Sequence, residues 1–142
     1  MVGRAGETMI DYVALADFRR ALREFAAFSE AAARAAGLAP QQHQAILAIR
    51  GAPDARLSVG DLAAALLIRP NTAQELAGRL IRAGLAEKIG DPGDRRRVVL
   101  QLTAKAEAVL SQLSAVHTAE LRRRRAVLQT LLERLDGGGE AK

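Results

Sequence analysis

Three consecutive arginines at positions 95–97 are the residues whose type and spacing suggest a chemistry most directly. A guanidinium group is planar, stays charged and donates forked hydrogen bonds that fit a phosphate. The arginines follow an Asp-Pro-Gly-Asp sequence at 91–94, which is typical of a tight turn. They precede the alternating segment 98–102, which predicts a half-buried strand. We therefore expect a β-hairpin whose tip places arginine against the phosphates or the minor groove of a nucleic acid.

The length and the net charge limit the possible functions. The chain has 142 residues and a formal net charge of +5, and this length predicts one domain over residues 1–142. A basic balance favours a polyanionic partner, either nucleic acid or an anionic membrane surface, and the distribution of the charges has to decide between them. No apolar stretch is long enough for a signal peptide or a membrane span, so we expect a cytoplasmic protein with no membrane partner.

Residue types that often carry catalysis or metal binding are scarce. The chain has no cysteine, which excludes disulfides, thiolate metal sites and cysteine nucleophiles. Its two histidines, His43 and His117, lack metal-ligand spacing, so we expect no metal and no other cofactor. Known catalytic motifs are missing, so we expect no enzyme activity. No serine has an evident base partner among Ser29, Ser58, Ser111 and Ser114.

Hydrophobic periodicity and capping residues predict about six helices. A Thr-x-x-Asp sequence at 8–11 and a Ser-x-x-Asp sequence at 58–61 resemble the start of a capped helix. The predicted helices cover 8–37, 40–50, 59–68 and 70–84, and two more begin at about 104 and 120. Two strands, 85–89 and 98–102, enclose the turn. This order predicts a mainly α fold, an α+β winged helix-turn-helix with a two- or three-stranded β wing.

The second helix of the helix-turn-helix carries side chains that could read bases. The N-terminal part of such a helix faces the major groove. Asn and Gln can bond adenine, Glu can accept from cytosine and Thr can contact a thymine methyl group, whereas Leu76, Leu80 and Ile81 are expected to point inward. A solvated helix face fits the same residues equally well. The DNA-contacting candidates on this helix are Arg69, Asn71, Thr72, Gln74, Glu75 and Arg79.

The charge distribution around the hairpin favours a nucleic-acid partner. From position 69 to position 97 the chain has seven Lys or Arg residues and four Asp or Glu residues, a net charge of +3. Arg95, Arg96 and Arg97 are therefore further DNA-contacting candidates. Asp94 has two interpretations. It makes the turn, or it pairs with Arg79 or a neighbouring arginine and so orients the wing, and we favour the pairing.

Residues 38–135 resemble the MarR family of bacterial transcriptional regulators. Asp94-x-Arg96, followed after six residues by Thr103, is similar to the wing signature of that family, and 78–88 is similar to the end of its recognition helix. The resemblance implies a homodimer that binds a palindromic operator in double-stranded DNA, a repressor released by a small aromatic or phenolic effector. It also implies that Arg96 enters the minor groove, that Asp94 orients it and that 71–75 reads bases.

The same resemblance implies a division of the chain into functional regions. The N- and C-terminal helices, 8–37 and 104–136, form the dimerisation region, and 38–103 forms the winged helix-turn-helix. The glycines at 137–139 separately predict that 137–142 is a flexible tail. Apolar stripes on the outer helices agree with dimerisation, because a small domain cannot cover them alone. The predicted interface residues are Phe18, Leu22, Phe25, Leu128, Leu131 and Leu135.

Pro70 and Glu75 keep a second function open. A proline at the start of the reading helix removes a long side chain that could have contacted a base. The alternative is a MarR-fold dimer that works as a small-molecule or protein-binding module without specific DNA recognition. His43 and Tyr12 are candidates for a ligand pocket. The arginines at 122–125 fit a solvated face that pairs with Glu120 or with the partner chain, and a direct DNA contact is the weaker alternative.

Overall fold

A computed structural model describes residues 9–137 of the chain. In that part it has five α-helices and a three-stranded antiparallel sheet, which confirms the predicted winged helix-turn-helix fold class. The elements are α1 (Tyr12–Ala35), α2 (Pro40–Gly51), a 3-10 turn (Pro53–Ala55), β1 (Arg56–Leu57), α3 (Val59–Leu66), α4 (Pro70–Arg82), β2 (Ala86–Asp91), β3 (Asp94–Leu102) and α5 (Ala104–Gly137).

The two C-terminal helices of the prediction are one continuous helix, α5. No glycine or proline lies between Thr103 and Gly137, so no residue in this stretch strongly opposes the helix. The described part therefore has five α-helices where the sequence pattern predicts about six. None of the helices between residues 9 and 137 has the length and apolar character of a membrane-spanning segment. The predicted tail at 137–142 lies outside the described residues, except for Gly137.

Side-chain capping explains where α1 and α3 begin. Asp11 Oδ1 accepts a hydrogen bond from Ala14 N at 2.9 Å. Asp11 is thus the capping residue of α1 in the described chain, and Thr8, the first residue of the predicted motif, lies outside the described residues. Ser58 Oγ accepts a hydrogen bond from Asp61 N at 3.1 Å, as predicted for α3. Each such bond satisfies one of the backbone N–H groups that a helix start leaves free.

The described chain divides into two compact units, and the first, Glu30–Val116, contains α2, α3, α4 and the sheet. Large aliphatic side chains are fully buried in its core, each contributing about 1.5–3 kcal/mol. The core holds α3 and α4 through one face of each helix. Its largest fully buried side chains are Ile46, Ile49, Leu62, Leu76, Leu80, Leu85 and Leu100.

β3 is the central strand of the sheet, with β1 on one side and β2 on the other. The sequence pattern does not predict β1, because two residues are too few to show an alternation. β2, β3 and their two-residue turn, Pro92 and Gly93, form the hairpin that we call the wing. Residues 95–97 therefore lie on β3, whereas the sequence pattern predicts that this strand begins only at Val98.

The wing is irregular near its turn. Gly90 pairs with Val98, and the next pair toward the turn is Asp91 with Asp94. β3 thus has three extra residues, the arginines 95–97, between two pairs that are adjacent on β2. A strand with extra residues bends at that point, and those residues have no partner across the ladder.

The second unit, Met1–Ser29 with His117–Lys142, is helical in its described part. His117 Nε2 lies 2.8 Å from Ser29 Oγ, and the His117 ring makes edge contacts with Phe25 and Phe28. The prediction that Ser29 lacks a base partner is therefore wrong. The two residues are 88 positions apart and join α1 to α5, so no local pattern indicates the pair.

A charged network joins the same two helices. Glu120 is buried, and its Oε1 accepts a hydrogen bond from Arg124 Nε at 2.8 Å. Arg124 Nη1 donates to Glu24 Oε2, also at 2.8 Å. The hydrogen bonds to Glu24 and Glu120 raise the pKa of the Arg124 guanidinium above its usual value. Pairing of the 122–125 run with Glu120, one of the predicted arrangements, is thus observed.

Candidate nucleic-acid interface

Helix α4 has one buried face and one exposed face. Pro70 fits its first position because proline lacks the N–H that the first turn leaves unbonded. Ala73, Leu76, Ala77 and Leu80 are buried against the core. Because these residues recur every three or four positions, the opposite side of the helix remains in solvent.

The predicted base-reading residues all lie on the exposed side of α4 or at its cap. Their donors and acceptors face solvent, so the core does not use them. Ile81 differs from its prediction. It is 37% exposed and does not point fully inward, although the preceding Leu80 is completely buried. The exposed candidates are Arg69, Asn71, Thr72, Gln74, Glu75 and Arg79.

The turn between α3 and α4 contains a residue in the left-handed backbone conformation. Leu67 has φ 55° and ψ 42°, and its N–H bonds to the carbonyls of Ala63 and Ala64. Its side chain is 92% exposed. A left-handed conformation costs a residue other than glycine about 1–2 kcal/mol. The turn is therefore tight, strained at one residue and close in sequence to the reading face.

Residues near the start of α5 hold the connection between α4 and the wing. Gly84 ends α4 with φ +70°. Thr103 Oγ1 donates a hydrogen bond to Gly84 O at 2.6 Å, and Lys105 Nζ donates to Ala83 O at 2.8 Å. The two residues that follow β3 thus hydrogen-bond to the backbone carbonyls of the segment between α4 and β2. Local sequence patterns do not predict these two contacts, because the partners are 19 and 22 positions apart.

Two aspartates shape the turn of the wing through the backbone. Asp91 Oδ1 accepts from Gly93 N at 2.9 Å, and Asp94 Oδ1 accepts from Arg96 N at 3.0 Å. Both are Asx turns. Among residues 9–137, Asp94 takes part in no ion pair, so the favoured pairing with Arg79 or a neighbouring arginine is not formed. The carboxylate contacts the backbone of Arg96 instead.

Arg97 differs from the two arginines before it. Its Nη2 donates to Ser58 Oγ at 3.1 Å and forms an ion pair with Asp61 Oδ2. Ser58 is the N-cap of α3, and Asp61 lies in its first turn. The separation of 36 residues between Arg97 and Asp61 hides this contact from a local sequence pattern. Ser58 and Asp61 therefore contact the wing, a role that their sequence pattern does not predict.

The remaining arginines of α4 and the wing are exposed and carry unneutralised charge. Within the described chain none of them forms an ion pair. Exposed cations without carboxylate partners are the pattern that a phosphate backbone attracts. These residues are Arg69, Arg79, Arg82, Arg95 and Arg96.

The segment that contains this surface matches a known family. Residues 36–97, from the end of α1 to the last wing arginine, match the sequence model of the MarR family. The winged helix-turn-helix segment of this chain therefore matches the MarR family in sequence. The resemblance inferred from the wing residues is confirmed.

Several solved structures share the fold of this chain. AbsC, a MarR family transcriptional regulator from Streptomyces coelicolor, matches with a TM-score of 0.69 at 19% identity, over 91% of this chain and 93% of AbsC. Apo MarR from E. coli gives 0.70 at 18% identity, over 91% and 98%. The S. aureus MepR–DNA complex gives 0.60 at 20% identity, over 83% and 97%. No curated protein sequence matches the chain.

The predicted dimer residues lie in the helical unit and differ in exposure. Leu22 is 46% exposed, and Leu135 is also exposed, whereas Leu131 is buried within its own chain. The half-buried members of the set are Phe18, Phe25 and Leu128. Leu22 and Leu135 are thus the predicted residues with the most surface available to a second chain.

The two residues predicted for a ligand pocket lie in different units. Tyr12, on α1, is 72% exposed, whereas His43, on α2, is buried. Their role in binding an effector stays a prediction. Among the residues from 9 to 137, no group of three or more His, Cys, Asp or Glu side chains is arranged to hold a metal ion.

Proposed function

We propose that this MarR-family chain is a transcriptional regulator that binds double-stranded DNA sequence-specifically, as a homodimer on a palindromic operator. One observation carries the proposal. The polar face of α4 is exposed, and the neighbouring wing presents Arg95 and Arg96 without an ion-pair partner in the described chain. The S. aureus MepR–DNA complex, which has the same fold, supports it.

Asn71 and Gln74 provide the chemistry for reading bases. Each amide offers a donor and an acceptor together, which matches N6 and N7 of adenine in the major groove. The two residues are three positions apart and therefore lie on the same side of α4. Thr72 can contact a thymine methyl group, and Glu75 can accept a hydrogen bond from N4 of cytosine. We assign base reading to these four residues.

Arg95 and Arg96 provide contacts to phosphates or to the minor groove. The hydrogen bond from Arg96 N to Asp94 Oδ1 fixes the backbone from which the Arg96 side chain projects. We therefore assign Asp94 the role of orienting Arg96 through the main chain. Arginine side chains are favoured in a narrow minor groove, where the negative potential is enhanced.

The homodimer is proposed to form through the outer helices, with 8–37 and 104–136 as the dimerisation region and 38–103 as the winged helix-turn-helix. Exposed Leu22 and Leu135 support this assignment, because exposed apolar patches commonly mark interfaces. A two-fold dimer presents its two α4 helices to successive major grooves, roughly 10 bp apart.

We further propose that the protein is a repressor and that a small ligand releases it from DNA. Both proposals rest on the family resemblance, with a small aromatic or phenolic effector and with His43 and Tyr12 as candidate pocket residues. Titration of the protein–DNA complex with benzoate or phenol tests the ligand class. Release of the DNA with a saturable dose dependence supports it, and complexes that persist to the solubility limit of both compounds contradict it.

Selection from a random duplex pool by the full chain tests DNA recognition. We expect an enriched inverted repeat with half-sites roughly 10 bp apart, and we call this sequence the selected duplex. A chain with Asn71→Ala should enrich the same repeat with a relaxed preference at one position in each half-site. A pool that remains random after repeated rounds contradicts the proposal.

Pro70 and Glu75 favour a second candidate function, a MarR-fold dimer that binds a small molecule or a protein without specific DNA recognition. The Glu75 carboxylate is exposed on the reading face, and it forms no ion pair within residues 9–137. A free carboxylate opposes approach to phosphate. A stable dimer that fails to enrich any duplex supports this candidate.

A further inference from the structure

We infer that Arg97 is a positioning residue, which ties the base of the wing to the first turn of α3 and so sets the direction of Arg95 and Arg96. We call the three residues of this contact, Ser58, Asp61 and Arg97, the clasp. The effect of the clasp on DNA affinity rests on the proposed DNA-binding function, whereas its effect on the wing can be tested without DNA.

The clasp lies where the wing loses its regular pairing. Gly90 with Val98 is the last pair before the register shift, and Arg97 immediately precedes Val98. Beyond this point the arginines 95–97 have no partner across the ladder. A short two-stranded ribbon has little stability of its own. A contact at Arg97 therefore restrains the part of the wing that the ladder does not.

The other end of the clasp belongs to a firmly packed helix. Ser58 Oγ accepts hydrogen bonds from both Asp61 N and Arg97 Nη2. Helix α3 is anchored in the core by Leu62, which is completely buried. Two side-chain contacts of Arg97 thus hold β3 against α3, the hydrogen bond to Ser58 and the ion pair with Asp61.

The exposure of the clasp indicates a geometric role. The side chains of Arg97 and Asp61 are 45% and 56% exposed, and ion pairs that are this exposed contribute little to global stability. What the pair does is restrict the Arg97 side chain and neutralise its charge. We therefore expect Arg95 and Arg96, and not Arg97, to contact phosphates.

Distances between two nitroxide labels test the clasp in the protein alone. The chain has no cysteine, so labels at Gly93→Cys and Ala64→Cys report the distance between the wing turn and α3. Both sites tolerate a side chain, since Ala64 is exposed and a Cβ at Gly93 meets only Asp91 Oδ1 at 3.5 Å. Labelled chains are diluted with unlabelled protein, so that each dimer carries one labelled pair.

We expect a narrow distance distribution when the clasp is intact and a wider one with Asp61→Asn or Arg97→Gln. Arg50→Gln is the matched control, because it breaks a comparably exposed ion pair with Glu107 in the same unit, and it should leave the distribution unchanged. Equal widths for the intact protein and for both clasp variants overturn the inference.

Salt-dependent binding of the selected duplex tests the consequence for DNA. Arg96→Gln should reduce the slope of log K against log salt by about one phosphate contact. Arg97→Gln should leave that slope unchanged and weaken binding by about two- to fivefold, the range that an exposed ion pair can supply. Asp61→Asn should give the same loss, and the double variant no further loss.

A slope that falls as much in Arg97→Gln as in Arg96→Gln overturns the inference, because Arg97 would then contact a phosphate itself. An intact protein that binds no duplex at any salt concentration overturns the proposed function. In that case the label distances still decide whether the clasp orders the wing, so the two failures are distinguishable.

Discussion

Leu67 combines a left-handed backbone with an almost fully exposed side chain. A leucine in this conformation brings its Cβ close to the following carbonyl oxygen. Because the side chain is exposed, no hydrophobic burial offsets this strain. The residue occupies the position after α3 where glycine is usual. The strain therefore comes from the choice of side chain and not from the turn itself.

Leu67→Gly should increase the free energy of unfolding by about 0.5–1 kcal/mol, since relief of the left-handed strain exceeds the added entropy of the unfolded chain. Urea unfolding at fixed protein concentration measures the change. Leu67→Ala keeps the Cβ and serves as the control, with little expected change. A glycine variant no more stable than the alanine variant would show that Leu67 is unstrained.

The three wing arginines show that neighbours in sequence do not reveal contacts formed through the fold. Arg95, Arg96 and Arg97 are equivalent by type and spacing, and all three were predicted to bind DNA. The structure separates them, because Arg97 meets Asp61 and Ser58 through the fold. The same holds for Asp94, whose carboxylate is bonded to a backbone N–H two residues away and not to the predicted arginine.

At the scale of elements, prediction succeeded where the signal is local. Pro70 at the start of α4, the Ser58 cap of α3 and the alternation near 98–102 each depend on residues a few positions apart. Prediction failed where the signal is distant or missing. β1 exists because Arg56 and Leu57 pair with β3, more than forty positions later. The junction inside α5 was inferred from two apolar stripes, although no residue there ends a helix.

Thr103 connects two elements and gives a prediction at this scale. Its Oγ1 accepts from Ala106 N at the start of α5 and donates to Gly84 O at the end of α4. Thr103→Val keeps the shape but removes both hydrogen bonds, so it should lower the free energy of unfolding by about 1–2 kcal/mol. Thermal or urea unfolding measures the loss.

Thr103→Ser retains the hydroxyl group and is the matched variant for this test. Its stability should stay within about 0.5 kcal/mol of the unmodified chain, the usual range for a change that removes no such feature. If the valine and serine variants were equally stable, the two hydrogen bonds of Thr103 would not hold α4 to α5.

At the scale of the whole molecule, the proposed function requires two chains. Only part of the predicted interface set is available for that contact, since Leu131 is buried within its own chain while Leu22 and Leu135 are exposed. The sequence pattern shows which residues lie on an apolar stripe. It does not distinguish packing within a chain from packing between chains, because both bury the same residue types.

Leu22→Glu should weaken the dimer by about tenfold or more, because a carboxylate without a partner is costly to bury. Sedimentation velocity over a concentration series measures the effect. Leu47 is a comparably exposed leucine in the other unit, 49% exposed, and Leu47→Glu should leave the dimer intact. Unchanged dimerisation of the Leu22 variant would remove this residue from the interface.

The affinity of Arg96→Ala for the selected duplex tests the central claim, that an exposed α4 face and a free wing arginine bind DNA together. Fluorescence anisotropy should show a loss of about 1–3 kcal/mol in binding with the dimer intact. Arg50→Ala, which lies outside α4 and the wing, should bind as the unmodified chain does. Affinity that is the same for Arg96→Ala and for the unmodified chain would contradict the account.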